Sequence, residues 1–218
     1  IEHLVYASSS SVYGGNKNFP FKETQSVNKP VSLYAATKAS NELMANSYSQ
    51  NFNISATGLR FFTVYGPWGR SDMAPIIFAK SIINNETIKV NNYGKMKRDF
   101  TYIDDIIEGI FRCCLKPPKQ KSQIISDLED IDLESAPHKI FNIGNNHSID
   151  LMYFIELIEK NLNKKAKIEF VPIPTGDVTI TQADTNSLEE WIGFKPSTSI
   201  EDGMDKFLEW FKYFYKKY

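Results

Sequence analysis

A tyrosine and a lysine four residues apart, Tyr34 and Lys38, follow an apolar run that ends in four consecutive serines. Residues at this spacing lie on one face of a helix, one turn from each other. A lysine ammonium at that distance favours the phenolate form of a tyrosine, which makes a usable base near neutral pH. A serine at the end of the preceding strand can hydrogen-bond the same substrate hydroxyl. This set suits removal of a proton from an alcohol while a hydride leaves its carbon.

The Tyr-x-x-x-Lys spacing alone is weak, because the chain contains it more than once. The pair Tyr93/Lys97 brackets a glycine in a loop-like stretch, and the pair Tyr213/Lys217 lies in a basic, aromatic C-terminal helix. We expect both to be ordinary surface. Of these three pairs, only Tyr34 and Lys38 have the serine-rich strand before them and a second motif after them.

Composition indicates a soluble globular protein with a substantial core. The 218 residues are 42% hydrophobic and 23% charged, with a net charge of −1, so we expect neither nucleic acid nor an anionic membrane surface as a partner. No apolar run approaches the roughly 20 residues that span a bilayer. The only cysteines, Cys113 and Cys114, are adjacent and badly placed for a disulfide. No Cys/His spacing suggests a metal site, and we expect a cytoplasmic protein.

The start of the sequence is unusual. The chain begins at Ile1, directly on an apparent buried strand, and its first methionine is Met44. We therefore expect it to be a fragment of a longer protein.

Short apolar runs alternate with helical patterns along the chain, which predicts α/β architecture with a parallel sheet. The expected strands are 3–8, 54–61, 88–91, 100–103, 140–143 and 167–171. The expected helices are 33–50, 74–84, 104–115, 150–162, 187–191 and a last one from about 199. We expect Asp104 or Asp105 to cap the third helix and Ser199 to cap the last. A buried stripe on the last helix is formed by Met204, Phe207, Leu208 and Phe211.

Several motifs in the same order resemble the extended short-chain dehydrogenase/reductase family, over nearly the whole chain. Within it the sequence is similar to the nucleotide-sugar epimerases, above all those acting on UDP-glucuronate. The motifs are SSSSVYG at 8–14, the Tyr34/Lys38 pair, LRFFTVYGP at 59–67, YGKMKRDFTYIDD at 93–105, GDV at 176–178, AD at 183–184 and GFKPST at 193–198.

The resemblance implies the C-terminal part of a Rossmann-like parallel sheet with a smaller α/β nucleotide-sugar-binding domain. The first would comprise 1–71 and 99–116, and the second 72–98 and 139–218. The remaining stretch, 117–138, we expect to be a flexible insertion. The family's glycine-rich phosphate turn is missing, since no Gly-x-x-Gly-x-x-Gly occurs in the sequence.

The resemblance also implies NAD as cofactor and a UDP-sugar as substrate. Tyr34 would remove the proton from the sugar's 4-hydroxyl, and Lys38 would hydrogen-bond the nicotinamide ribose. Ser9 would bridge the tyrosine and the sugar hydroxyl. Phe62 would pack near the nicotinamide.

The residues after Ser9 favour epimerisation over sister reactions. Dehydratases and decarboxylases of this family carry acidic residues where this chain has Ser10 and Ser11. The resemblance implies that these serines and Thr63 hydrogen-bond a sugar carboxylate, helped by the charge of Arg70. Alternatively, Ser10 and Ser11 only close the strand and satisfy backbone groups.

Arg98 would hold the diphosphate, because a guanidinium suits bidentate phosphate contacts. The alternative is a surface ion pair with a neighbour such as Asp99. Asp177 would accept a hydrogen bond from a ribose hydroxyl.

Two other functions stay open: epimerisation of UDP-glucose or UDP-N-acetylglucosamine, and a non-catalytic nucleotide-sugar-binding remnant. Relatives commonly dimerise through the helix that carries the Tyr/Lys pair. Leu43 and Met44 would serve a homodimer interface or simply the core.

Overall fold

The computed structural model describes residues 1–120 and 136–215, in which strands and helices alternate. The strands are β1 (His3–Ser9), β2 (Ser55–Phe61), β3 (Thr63–Tyr65), β4 (Thr87–Val90), β5 (Lys97–Tyr102), β6 (His138–Ile143), β7 (Ser148–Asp150) and β8 (Lys167–Phe170). The helices are α1 (Leu33–Phe52), α2 (Ala74–Ile83), α3 (Ile103–Leu115), α4 (Leu151–Leu162), α5 (Asn186–Ile192) and α6 (Ile200–Tyr215). Short 3-10 helices cover Ser10–Tyr13 and Asn91–Gly94.

A parallel sheet in the order β1-β2-β6 carries the serine-rich motif at its carboxyl edge. Ser9 lies level with Phe61, which in turn lies level with Ile143. The strands are joined through helices, as parallel connections require. The predicted α/β class is confirmed.

Two smaller sheets complete the fold. In the first, β5 runs parallel to β3 and antiparallel to β7. In the second, β4 pairs in parallel with β8. The strands β3 and β7 were not predicted from the sequence, because each has only three residues and shows no period of its own.

Three clusters of buried apolar side chains hold these layers together. The largest joins α2, α4 and α6 to β4 and β5, and includes the predicted stripe on α6. A second lies between β2, β6, α3 and α5. A third, small cluster surrounds Phe21 and Phe62 beside the 3-10 turn after β1.

The close approach of α6 to β3 requires a glycine. A Cβ added at Gly203 would lie 2.0 Å from the Tyr65 hydroxyl oxygen. The predicted cap of this helix is confirmed, because the Ser199 hydroxyl accepts a bond from the Asp202 N–H at 3.0 Å.

The predicted cap of α3 is wrong. Tyr102 occupies the N-cap position, and Asp104 and Asp105 lie in the first turn. The Asp105 carboxylate instead accepts bonds from the backbone N–H groups of Ser197 (3.0 Å) and Thr198 (2.8 Å). The carboxylate therefore ties a distant loop to the helix start, which local sequence does not reveal.

Leu43 and Met44 are 72% and 55% exposed, so the expectation that they serve the core is wrong. Most of the predicted insertion at 117–138 lies outside the described residues, as does Lys217 of the C-terminal Tyr/Lys pair. Among the helices that the structure describes, none combines the length and apolar character needed to cross a bilayer.

Candidate functional site

The end of β1 turns directly into a hydrogen-bonded serine cluster. Ser9 caps the 3-10 helix, since its hydroxyl oxygen accepts from the Ser11 N–H at 3.2 Å. The same hydroxyl donates to Ser11 Oγ at 3.2 Å. Gly14 ends the turn at a φ of +58°, a conformation that glycine adopts without strain. The turn thus presents Ser10 and Ser11 at the carboxyl edge of the sheet.

Helix α1 begins beside this turn and carries Tyr34 on its first turn. Ser32 is the N-cap and accepts from the Ala35 N–H at 3.1 Å. The Lys38 ammonium lies 5.9 Å from the centre of the Tyr34 ring and donates to the Ala7 carbonyl at 3.1 Å. The two side chains therefore share one helix face, with the Tyr34 side chain accessible and the lysine tied to β1.

A cavity of about 170 Å³ opens next to the serine turn and gathers residues that are far apart in the sequence. Five of the predicted substrate-binding residues line it: Ser10, Ser11, Thr63, Arg98 and Asp177. The other lining residues are Gly14, Phe21, Val31, Ser32, Gly176, Val178 and Thr181. The lining is thus rich in hydroxyl groups and carries one guanidinium and one carboxylate.

Arg98 and Asp177 form an ion pair across the cavity wall. Arg98 donates from Nη2 to Asp177 Oδ1 at 2.8 Å, and from Nη1 to the carbonyls of Lys97 (3.1 Å) and Thr179 (3.2 Å). Burial lowers the pKa of the Arg98 guanidinium, and the charge of Asp177 opposes this shift. The alternative of an ion pair is therefore met, but the partner of Arg98 is Asp177 and not Asp99.

Asp99 points into the protein and joins three segments behind the cavity. Its carboxylate accepts from the backbone N–H groups of Asn145 (2.7 Å) and Ala183 (2.9 Å), and from the Thr101 hydroxyl (3.4 Å). Burial raises the pKa of Asp99 to about 6, although these hydrogen bonds act in the opposite direction. Asp99 therefore titrates well above its usual range.

This shift predicts a pH-dependent stability difference between the wild type and Asp99→Asn. A raised carboxyl pKa makes a favourable contribution at low pH that is lost as the pH rises from about 4 to about 6. From pH 4 to pH 7, the free energy of unfolding of the wild type minus that of Asp99→Asn should fall by about 2 kcal/mol. Urea unfolding at both pH values measures this difference, and an equal difference at both would contradict the assignment.

Arg70 lies outside the cavity lining, in the loop between β3 and α2. Its guanidinium pairs with the Asp72 carboxylate through two contacts of 3.0 Å, and both side chains are well exposed. Hydrogen bonding to Asp72 raises the pKa of Arg70, with a smaller contribution from the Tyr34 phenol. The loop is anchored by Trp68, whose ring lies 5.5 Å from that of Trp210 and 5.0 Å from that of Phe214 on α6.

Phe62 is buried immediately after β2. Its N–H donates to the Ile143 carbonyl at 3.2 Å, and its ring packs 6.3 Å from that of Phe21. Its predicted role beside the nicotinamide stays a prediction. Across residues 1–120 and 136–215, no group of three His, Cys, Asp or Glu side chains could hold a metal ion.

Sequence reasoning missed Phe21, Val31, Ser32 and Thr181 in the cavity lining. Phe21 comes to the site by a bridge to Ala183, more than 160 residues later. Only Ser32 had a local signal, since a serine just before a helical pattern is a common N-cap. The other three are placed by long-range packing.

The comparisons with known proteins agree with this geometry. Residues 1–144 match the sequence profile of the NAD dependent epimerase/dehydratase family. Protein CapI of Staphylococcus aureus is 50% identical over 217 residues, covering 100% of this chain and 65% of that protein. A probable UDP-glucuronate 4-epimerase of Rhizobium meliloti is 42% identical over 217 residues, covering 99% and 64%.

A solved structure extends the likeness to the fold. The UDP-glucuronic acid 4-epimerase of Bacillus cereus, in complex with UDP-glucuronic acid and NAD, superposes with a TM-score of 0.83 at 28% identity. The alignment covers 98% of this chain and 62% of that one. The chain thus spans a little under two thirds of the length of these relatives.

Proposed function

The chain belongs to the NAD dependent epimerase/dehydratase family, and from this premise we propose that its protein inverts carbon 4 of a UDP-sugar, with UDP-glucuronate preferred. The cavity carries the proposal, because its lining combines the hydroxyl groups of Ser10, Ser11 and Thr63 with the charged side chains of Arg98 and Asp177. Hydroxyl donors suit a sugar or its carboxylate, and a guanidinium suits a diphosphate. Relatives named for UDP-glucuronate support the choice of sugar.

The residues fit one end of the proposed cofactor. Tyr34 and Lys38 stand at the carboxyl end of a parallel strand, where α/β sheets bind nucleotides. The half-buried Lys38 ammonium would hold the nicotinamide ribose, with Phe62 packed near the ring. A glycine-rich turn for the pyrophosphate does not occur among the 218 residues, so the fit concerns the nicotinamide end.

The chain's own groups handle the proton. When bound, NAD supplies a reversible acceptor for the hydride of carbon 4. Tyr34 takes the proton of the 4-hydroxyl through its phenol oxygen and later returns it, while Lys38 stabilises the phenolate. Ser9 orients the same hydroxyl through its Oγ. Because the hydride returns to the sugar, no net oxidation occurs. Its return to the opposite face inverts carbon 4.

The serine turn also opposes side reactions. Elimination of water or loss of the carboxyl group is assisted by acidic residues in the sister enzymes, and Ser10 and Ser11 cannot supply carboxyl acid–base chemistry at neutral pH. Held by hydroxyl groups, a sugar carboxylate keeps one orientation while carbon 4 is oxidised. Epimerisation is the reaction that remains.

The division into a dinucleotide part (1–71 and 99–116) and a sugar part (72–98 and 139–218) remains a proposal. It rests on the family resemblance, since each of the two larger apolar clusters contains residues from both parts and β6 extends the sheet of the first part. We also propose that α1 contributes to a homodimer, since Leu43 and Met44 are exposed on it.

The test is an NMR time course of the purified protein with NAD⁺ and UDP-glucuronate. We expect UDP-galacturonate to accumulate until the two sugars reach equilibrium. Conversion of UDP-glucose or UDP-N-acetylglucosamine instead would favour the neutral-sugar alternative. Saturable binding of UDP-glucuronate without conversion would support a binding remnant.

Arg70 provides a prediction about sugar choice. If its guanidinium leaves Asp72 to meet the sugar carboxylate, Arg70→Ala should raise the KM for UDP-glucuronate about tenfold, since a charged hydrogen bond contributes about 1.5 kcal/mol or more. The KM for UDP-glucose should be unchanged. The matched control is Arg112→Ala, which removes another arginine, partly exposed and paired with a nearby carboxylate, that of Glu108. Equal effects on both sugars would contradict a carboxylate role.

A further inference from the structure

Beneath the proposed site, two successive bonds join α1 to the end of β1. The Lys38 ammonium donates to the Ala7 carbonyl at 3.1 Å, and the Glu42 carboxylate accepts from the Ser8 hydroxyl. Tyr34, Lys38 and Glu42 follow one another at four-residue intervals, so they occupy successive turns of one helix face. Consecutive strand residues therefore hold consecutive helix turns below the tyrosine.

The Glu42 carboxylate is itself fixed by a buried arginine. Arg60 donates from Nε to Oε1 at 2.9 Å and from Nη2 to Oε2 at 2.8 Å. Glu42 is 4% exposed and Arg60 is 3% exposed. A bidentate pair in such surroundings has one favourable geometry, which makes it a rigid link.

Arg60 carries the link across the sheet to the serine turn. It lies opposite Ser8 in the register of β1 and β2, and its Nη1 donates to the Tyr13 hydroxyl at 2.9 Å. That hydroxyl donates to Asn142 Oδ1 on β6 at 2.6 Å. Tyr13 is the last residue of the turn that carries Ser10 and Ser11. The Arg60 guanidinium therefore binds both helix α1, through Glu42, and the serine turn, through Tyr13.

We propose that Glu42 is a positioning residue, which fixes α1 along β1 so that Lys38 stays at the Ala7 carbonyl and Tyr34 stays one helix turn before it. The catalytic consequence rests on the proposed function, whereas the placement of the helix does not. Buried ion pairs can often be replaced by apolar side chains without loss of stability. Stability alone therefore does not explain the Glu42/Arg60 pair, whereas a link between α1 and the serine turn does.

The test compares Glu42→Gln with Glu159→Gln, a matched control on α4. Glu159 is also a helical glutamate with little exposure, and it accepts from the Ala166 N–H at 2.8 Å and from the Lys165 ammonium at 2.6 Å. Both variants lose one carboxylate charge without changing size. Glu42 lies on α1, which carries Tyr34, whereas Glu159 lies on α4, which carries none of the predicted site residues.

The first readout is NMR of the ¹⁵N-labelled protein without cofactor or substrate. We expect Glu42→Gln to speed amide hydrogen exchange around Lys38 about tenfold or more and to abolish the slowly exchanging signal of the Lys38 ammonium. Glu159→Gln should accelerate exchange only in α4. If Glu42→Gln does not fold, the double variant Glu42→Met/Arg60→Met removes both charges together and is measured in its place.

The second readout is steady-state kinetics of epimerisation, in which kcat and the KM for the sugar are measured separately for the wild type and both variants. A misplaced reactive group lowers kcat, so we expect a loss of about 10- to 100-fold for Glu42→Gln with the sugar's KM unchanged. Unchanged exchange and an unchanged Lys38 signal would overturn the proposal. So would a kcat equal to that of Glu159→Gln. If the wild type shows no epimerase activity, the proposed function fails and the exchange data alone decide the positioning role.

Discussion

Replacing Tyr34 by phenylalanine should lower kcat for epimerisation about 1,000-fold, because general base catalysis by a positioned side chain typically contributes 10²–10⁴-fold. The change removes one oxygen atom from an exposed side chain near the start of α1. Folding should therefore be unaffected, and the Kd for UDP-glucuronate should change little. Product NMR gives kcat, and isothermal titration gives the Kd.

The chain contains its own controls for this experiment. Tyr93→Phe and Tyr213→Phe remove the same oxygen from two other Tyr-x-x-x-Lys pairs, and both tyrosines are well exposed. Neither change should alter kcat by more than about twofold. An equal loss in all three variants, or none at Tyr34, would remove this tyrosine from the mechanism.

Replacing Arg60 by methionine should cost about 3–5 kcal/mol of unfolding free energy, the range for breaking a buried ion pair on one side. The carboxylate of Glu42 would be left buried with the Ser8 hydroxyl but without its countercharge. Burial alone would lower the pKa of Arg60, yet the hydrogen bonds to Glu42 raise it, which shows how closely the charges depend on each other. Urea unfolding measures the loss.

The double variant Glu42→Met/Arg60→Met separates charge burial from packing. Removing both charges takes away the penalty of an unpaired ion, so most of the lost stability should return. If the double variant is as unstable as Arg60→Met, the cost comes from packing around these positions. Recovery of stability together with a low kcat would match the positioning role of Glu42.

Sequence reasoning reached the elements whose pattern is local. The buried stripe of α6 and its Ser199 cap were predictable because a helical period and a capping hydroxyl are visible within one or two turns. The α/β class followed from the alternation of strands and helices. The three-residue strands β3 and β7 were not predictable, since they are too short to show a period.

The site divides along the same line. Motif positions in the sequence were enough to predict Ser10, Ser11, Thr63, Arg98 and Asp177 as substrate-binding residues, and all five line the cavity. Their roles are predictions. The pairing of partners did not follow, because the contact between Arg98 and Asp177 spans 79 residues.

Buried polar partners were missed for the same reason. Glu42 reads as an ordinary helix surface residue four positions after Lys38, and only the approach of β2 shows that it is buried. Asp99 sits beside an exposed-looking arginine in the sequence, yet it faces the interior.

The contact between Trp68 and Trp210 supplies an optical reporter inside the protein. The two indole rings lie 5.5 Å apart at an interplanar angle of 55°, close enough for their electronic transitions to couple. Coupled, tilted indoles give a circular dichroism signal in the near ultraviolet that disappears when the rings separate. Since Trp68 lies two residues before Arg70, this signal follows the docking of that loop on α6 in the unlabelled molecule, with Trp68→Phe as the blank.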